Sequence, residues 1–161
     1  MTTPDTAAAT LARFDHAWEA LDKTVKTLGR RALTEIRDPA GWSAKDHLVH
    51  VALWEQALLA TVDGRPRHEA LGLDASTDGS QDWDTLNAAI FARTREHGLA
   101  DVLRTLQETH DTTRGRLLTI VHGGPAAEAT QSARALLDGL PGYIDHYDQH
   151  RGWIETLVAG G

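Results

Sequence analysis

Apolar residues along this chain recur at steps of three and four, the period of a helix that buries one face. Ala8, Leu11, Phe14, Ala17, Trp18, Leu21, Val25 and Leu28 trace the first such stripe. They predict a helix that begins near Pro4, a residue compatible with a first turn, and ends at Gly29. After a loop through Asp38-Pro39-Ala40-Gly41-Trp42, Ser43 is a good N-cap, with Asp46 three residues on as an imperfect capping box. The second helix runs from Ala44 to about Val62 and is stopped by Asp63-Gly64-Arg65-Pro66. Residues 64–80, rich in Gly, Asp and Ser, read as the longest loop, of a length suited to a lid or rim.

A short helix from Asp82 to Glu96 contributes Trp83, Leu86, Ile90 and Phe91. The third long helix runs from about Leu99 to Val121, with Val102, Leu103, Leu106, His110, Thr113, Leu117 and Ile120 on its inner stripe, and His122-Gly123-Gly124-Pro125 ends it. The last runs from about Ser132 to Val158. A break or kink is expected at Gly139-Leu140-Pro141-Gly142, because an interior proline removes a hydrogen bond and clashes with the preceding turn. No stretch alternates as a strand would. The pattern therefore predicts an all-α fold of four long helices and one short one.

Composition narrows the class. At 161 residues, 41% hydrophobic and 24% charged, the chain suits a single folded domain over residues 1–161. Cysteine is absent, which excludes disulfides, thiolate-bound metals and a thiol nucleophile of the protein's own. No apolar run approaches the ~20 residues of a membrane span. The N-terminal residues lack the basic-then-apolar pattern of a signal peptide, so a cytoplasmic location is expected. A net charge of −7 argues against a nucleic-acid partner, and the one dense basic spot, Arg30-Arg31, is too short to form a patch.

The strongest chemical feature is His146-Tyr147-Asp148-Gln149-His150. Two histidines four residues apart share a helix face, where both imidazoles can reach one metal ion. Their stripe continues through Trp153 and Leu157, which reads as inward-facing. The competing interpretation is a partly exposed pair on the edge of a bundle. His50, among Leu48, Val51, Leu53 and Trp54, is a third candidate from another helix, and His47 competes with it. Three neutral imidazoles suit zinc, nickel, iron or copper and leave coordination positions open for water or substrate. Asp46, one turn before His50, is placed to orient its ring.

Trp54 and Tyr143 are candidate pocket walls, Trp54 doubling as a candidate core aromatic. His110, on an inner stripe, is a candidate general base or a satisfied core histidine. Tyr147 is a further catalytic candidate, although it points about 100° away from its neighbour His146 around the helix. Glu55 reads as a solvent or rim charge. His16, His68, His97 and His122 fall at surface-like or loop positions.

Three stretches resemble the DinB-like superfamily, and more closely its ClbS/DfsB-like branch. Gly41-Trp42-Ser43-Ala44-Lys45-Asp46-His47-Leu48-Val49-His50-Val51-Ala52-Leu53-Trp54-Glu55 is similar to the "W-S-x-K-D-x-x-x-H-x-x-x-W-E" opening of the family's second helix. Trp83 to Phe91 with Leu99 to Leu103 is similar to "W-N-x-x-N-x-x-I-F … L-x-D-V-L", and His146 to Ile154 to "H-Y-x-x-H-x-x-W-I". The chain departs from the branch at Asp84, where Asn is usual, and at 140–145, where a "G-N-T" is missing.

The resemblance implies an up-down four-helix bundle of the DinB/YfiT kind with a long crossover, commonly a homodimer. It carries the metal-site histidines onto His50, His146 and His150, with zinc or nickel the favoured ion. It also implies a metal-dependent hydrolase or thiol S-transferase acting on a small electrophilic metabolite, in detoxification or self-resistance. A low-molecular-weight thiol would be the co-substrate. The alternative is a non-catalytic protein that sequesters a small molecule.

Overall fold

The computed structural model describes residues 6–79 and 82–161. Its elements are all helical: α1 (Ala7–Lys26), α2 (Arg30–Thr34), α3 (Ala44–Val62), α4 (Arg67–Leu71), α5 (Ala75–Asp78), α6 (Trp83–Thr94), α7 (Leu99–Glu128) and α8 (Gln131–Ala159). The expected start near Pro4 lies outside the described residues. Thr6 caps α1, its hydroxyl accepting from the Ala9 amide at 3.3 Å.

Four long helices form the bundle. α1 and α3 each pack against both α7 and α8, so α1 faces α3 across one diagonal and α7 faces α8 across the other. Phe14, Leu21, Leu48, Leu117, Leu136, Leu140 and Ile154 fill the space between them and are fully buried. α3 is buried on nearly every face, because α4 and α6 cover the side that the other long helices leave open. That is why its apolar residues show no clean stripe. Trp54, Ala57, Leu71, Leu86 and Ile90 form a second apolar cluster under this cover.

Several expectations need correction. Residues 64–80 are not a plain loop: α4 and α5 lie within them, and Leu71 is completely buried in the second cluster. Gly72, at φ 65°, ends α4 in the left-handed conformation that glycine adopts without strain. A further short helix, α2, occupies part of the stretch between the first two long helices.

The third long helix does break at Gly124, which has φ 63° and ψ −157°, but it resumes at once and reaches Glu128. Pro125 opens the new turn, where its missing amide hydrogen costs nothing. The last helix, by contrast, runs unbroken through Pro141. Leu136 and Leu140 before the proline and Ile144 and Tyr147 after it are all buried, so packing holds the helix on both sides. Gly139 permits the close approach to α3: a Cβ there would sit 2.6 Å from Leu58 Cδ1.

The N-terminus of α3 is held unusually firmly. Ser43 and Asp46 form a complete capping box, and the Asp46 carboxylate accepts from the Ser43 amide at 2.8 Å and its hydroxyl at 2.7 Å. Lys45 donates to the carbonyls of Arg95 at 2.6 Å and His97 at 2.8 Å, tying α3 to the C-terminal end of α6. Replacing buried Ser43 with alanine is expected to cost about 1–2 kcal/mol. The check is denaturant unfolding of Ser43→Ala, with a lowered midpoint and an unchanged slope as the expected outcome.

Candidate metal centre

The first two turns of α3 and the second half of α8 carry four histidines to one place. His50 and His150 are buried and His146 is half-buried. One ligand nitrogen from each of His50, His146 and His150 lies within 4.8 Å of the others. Ring centroids are 5.1 Å apart for His50 and His146, 4.8 Å for His50 and His150, and 4.4 Å for His146 and His150.

Their protonation state follows from burial. Desolvation, then the charges of His146 and His47, push the pKa of His50 down to about 3. Burial pushes that of His146 to about 4, and burial with its three histidine neighbours pushes His150 lower still. All three are neutral at pH 7, so each keeps a lone pair for a cation. His50 Nδ1 is buried and has no hydrogen-bond partner among the described residues.

These observations fit a divalent metal. The donor set is three imidazole nitrogens, the group favoured by zinc, nickel, copper or iron. Ligands about 2.1 Å from a tetrahedral ion lie about 3.4 Å from one another, within the reach of modest side-chain rotation from the observed spacing.

His47, the competitor for the third position, stands behind the triad. Its Nδ1 is 2.9 Å from His150 Nδ1, and its Nε2 is 3.2 Å from Asp38 Oδ2. Burial lowers its pKa, although the Asp38 carboxylate works the other way. Asp46 does not orient His50 as the spacing suggested. Its carboxylate is committed to Ser43, with Arg37 Nη1 at 3.4 Å, because it belongs to the capping box.

Two cavities reach these histidines. One, of about 510 Å³, is lined by His50, His146, Trp54, Tyr143, Trp83 and Arg67. Arg67 lies over Trp54 and Trp83 at 5.9 and 5.8 Å, and Asp78 holds its Nε at 2.6 Å. The other, of about 980 Å³, is bounded by His47, His50, His146, His150, Trp42, Phe91 and Trp153. Trp42 stacks on Phe91 at 5.3 Å and meets the His50 ring edge-on at 5.2 Å. Asn87 and Gln149 line both cavities along with His50 and His146.

Trp153 is 48% exposed, so the stripe through it is a cavity rim and not an inward face. The buried face of α8 runs through Ile144, Tyr147, His150 and Ile154 instead.

His110 and Tyr147, the catalytic candidates, line neither cavity. His110 is buried and stacked between Phe14 at 4.8 Å and Trp18 at 3.9 Å. Tyr147 is buried against Phe14, and its hydroxyl donates to Glu55.

Glu55 is accordingly no rim charge: it is 1% exposed. Burial pushes its pKa up to about 7, while the Thr113 and Tyr147 hydroxyls work the other way. No pattern in the sequence marks it, because α3 is buried on nearly every face and shows no apolar stripe from which Glu55 would stand out.

A profile of the DinB superfamily matches residues 13–154. Comparison with curated proteins gives no match, and comparison with solved structures gives none either.

The raised pKa of Glu55 makes a stability prediction. The folded state holds this proton more tightly than the unfolded chain, so its contribution is complete below about pH 4.5 and is lost as pH rises through about 7. Glu55→Gln keeps the shape and cannot ionise. The variant is expected to gain stability over the parent on going from pH 5 to pH 8, by a few kcal/mol at most, at about 1.4 kcal/mol for each tenfold difference in proton affinity between the folded and unfolded chain. Thermal melts of both proteins across that range provide the measurement.

Proposed function

We propose that this chain, which belongs to the DinB superfamily, is a metal-dependent enzyme acting on a small electrophilic metabolite, as a hydrolase or a thiol S-transferase. The observation that carries this reading is the convergence of three neutral imidazoles beside two cavities, His50 and His146 lining both and His150 lining the larger. His50, His146 and His150 would hold the ion, with zinc or nickel favoured by the nitrogen donors. Such an ion, when bound, lowers the pKa of a coordinated water or thiol enough to supply a nucleophile near neutral pH.

The protein's own residues do the rest. Trp42, Phe91 and Trp153 give the larger cavity an aromatic surface on which an apolar or conjugated substrate can lie. Asn87 and Gln149 offer amide hydrogen bonds beside the histidines from either cavity. Because the chain has no cysteine, any thiol has to arrive as a co-substrate. The two cavities leave room beside His50 and His146 for it and an electrophile together. This reading takes the protein to be a cytoplasmic homodimer of the ClbS/DfsB-like branch, serving detoxification or self-resistance. No helix among the described residues is long and apolar enough to cross a membrane.

A second reading, sequestration without turnover, is favoured by the size of the larger cavity. At about 980 Å³ it is roomy enough for a drug-sized molecule.

Elemental analysis of untagged protein, prepared without chelator or a metal column, tests the first claim. One equivalent of metal per chain is expected, falling below a tenth of an equivalent in His50→Ala and His150→Ala. Turnover of a generic electrophile with added thiol, or without thiol for a hydrolase, is expected to fall at least a hundredfold in the same variants. Metal-free protein that binds the electrophile tightly without consuming it supports sequestration instead.

A further inference from the structure

The position of His47 behind His150 has a consequence for the proton on the His150 ring. A neutral imidazole has one nitrogen that donates and one that accepts, so fixing one end of a chain of imidazoles fixes every ring in it. Here the chain ends on a carboxylate. Asp38 Oδ1 accepts from the amides of Ala40 and Trp42, both at 2.9 Å, which pins the carboxyl group in the turn before α3. Its other oxygen, Oδ2, faces His47 Nε2 at 3.2 Å.

A carboxylate can only accept, so His47 carries its proton on Nε2 and presents a lone pair at Nδ1. That lone pair meets His150 Nδ1 at 2.9 Å, where two lone pairs cannot face one another. His150 therefore carries its proton on Nδ1, and its Nε2 is left free.

We infer that Asp38 and His47 are positioning residues that set the tautomer of His150, aiming an unprotonated Nε2 at the shared centre. This rests on the three-histidine reading for its purpose, but the tautomer itself can be tested without any metal. Partners of this kind typically alter metal affinity about 10–100-fold when removed.

Asp38→Asn is the decisive variant, because it changes a proton and almost no volume. In it, the two turn amides hold the carboxamide oxygen where they now hold Oδ1, so the carboxamide NH2 group faces His47. His47 must then accept at Nε2 and donate from Nδ1, and His150 must move its proton onto Nε2. His47→Leu removes the relay altogether. His47→Asn keeps an acceptor close to the original Nδ1 position and serves as the conservative rescue.

Two readouts are taken on each protein. Imidazole ¹⁵N shifts of the metal-free protein at pH 7.5 report the tautomer of His150, and competition with a chromophoric chelator gives the affinity for Zn(II) alone. The wild type is expected to show His150 protonated on Nδ1. Asp38→Asn should show it protonated on Nε2, with Zn(II) bound at least about tenfold more weakly and the melting temperature within about 3 °C of the parent. His47→Leu should weaken Zn(II) binding similarly, and His47→Asn should recover most of the loss.

A wild-type His150 protonated on Nε2, or a tautomer that Asp38→Asn leaves unchanged, overturns the inference. So does equal Zn(II) affinity across the set when the wild type binds. A wild type that binds no Zn(II) while its tautomer follows Asp38 upholds the relay and sinks the metal-enzyme reading instead.

Discussion

The rings of His47, His50, His146 and His150 are packed between α3 and α8 among Trp42, Trp54 and Trp153, where an imidazolium has little to solvate it. Their neutrality follows from that surrounding, and the depressed pKa values express it. Neutral rings still have lone pairs and N–H groups that need partners, and burying them unpaired costs free energy. The structure meets part of this need through Asp38 and His47, and leaves His50 Nδ1 unmatched among the described residues. A cation at the centre of the triad would answer the remainder of the need for lone-pair partners.

The surrounding fold keeps these rings where they are. α3 supplies two of the four from its first turns, so the direction in which α3 starts decides the site. The Ser43–Asp46 capping box fixes that start, and Lys45 ties it to α6. Trp42 stacks on Phe91 and leans on His50, which links the turn before α3, the α6 wall and the site. On the opposite strip of the bundle, α8 has to lie straight and close for His146 and His150 to reach across. Gly139 against Leu58 allows the approach.

Much of this was legible in the sequence. The 3.6-residue periodicity gave the four long helices, Ser43 marked the start of α3, and the i, i+4 spacing put His146 and His150 on neighbouring turns of one face. Periodicity failed where burial is not one-sided. α3 is enclosed all round, so nothing distinguished Glu55 from a solvent charge. α4 is five residues long, too short to show a period, and its fold depends on Leu71 finding the pocket beneath Trp54. Pro141 misled because local propensity weighs less than the burial of Leu140 and Ile144 around it. Asp38 was invisible as a partner of His47 because the contact depends on how the turn before α3 folds.

The chain is a helical bundle of the DinB superfamily in which a cluster of uncharged histidines borders two cavities. The central claim is that three of those rings share one ion. X-ray absorption at the zinc edge of protein loaded with one equivalent of Zn(II) addresses it most directly. The expected result is a shell containing three imidazole nitrogens at about 2.0–2.1 Å, with the outer-ring scattering that imidazoles produce, completed by oxygen. A shell of oxygens alone, or one with fewer than three imidazoles, would contradict it.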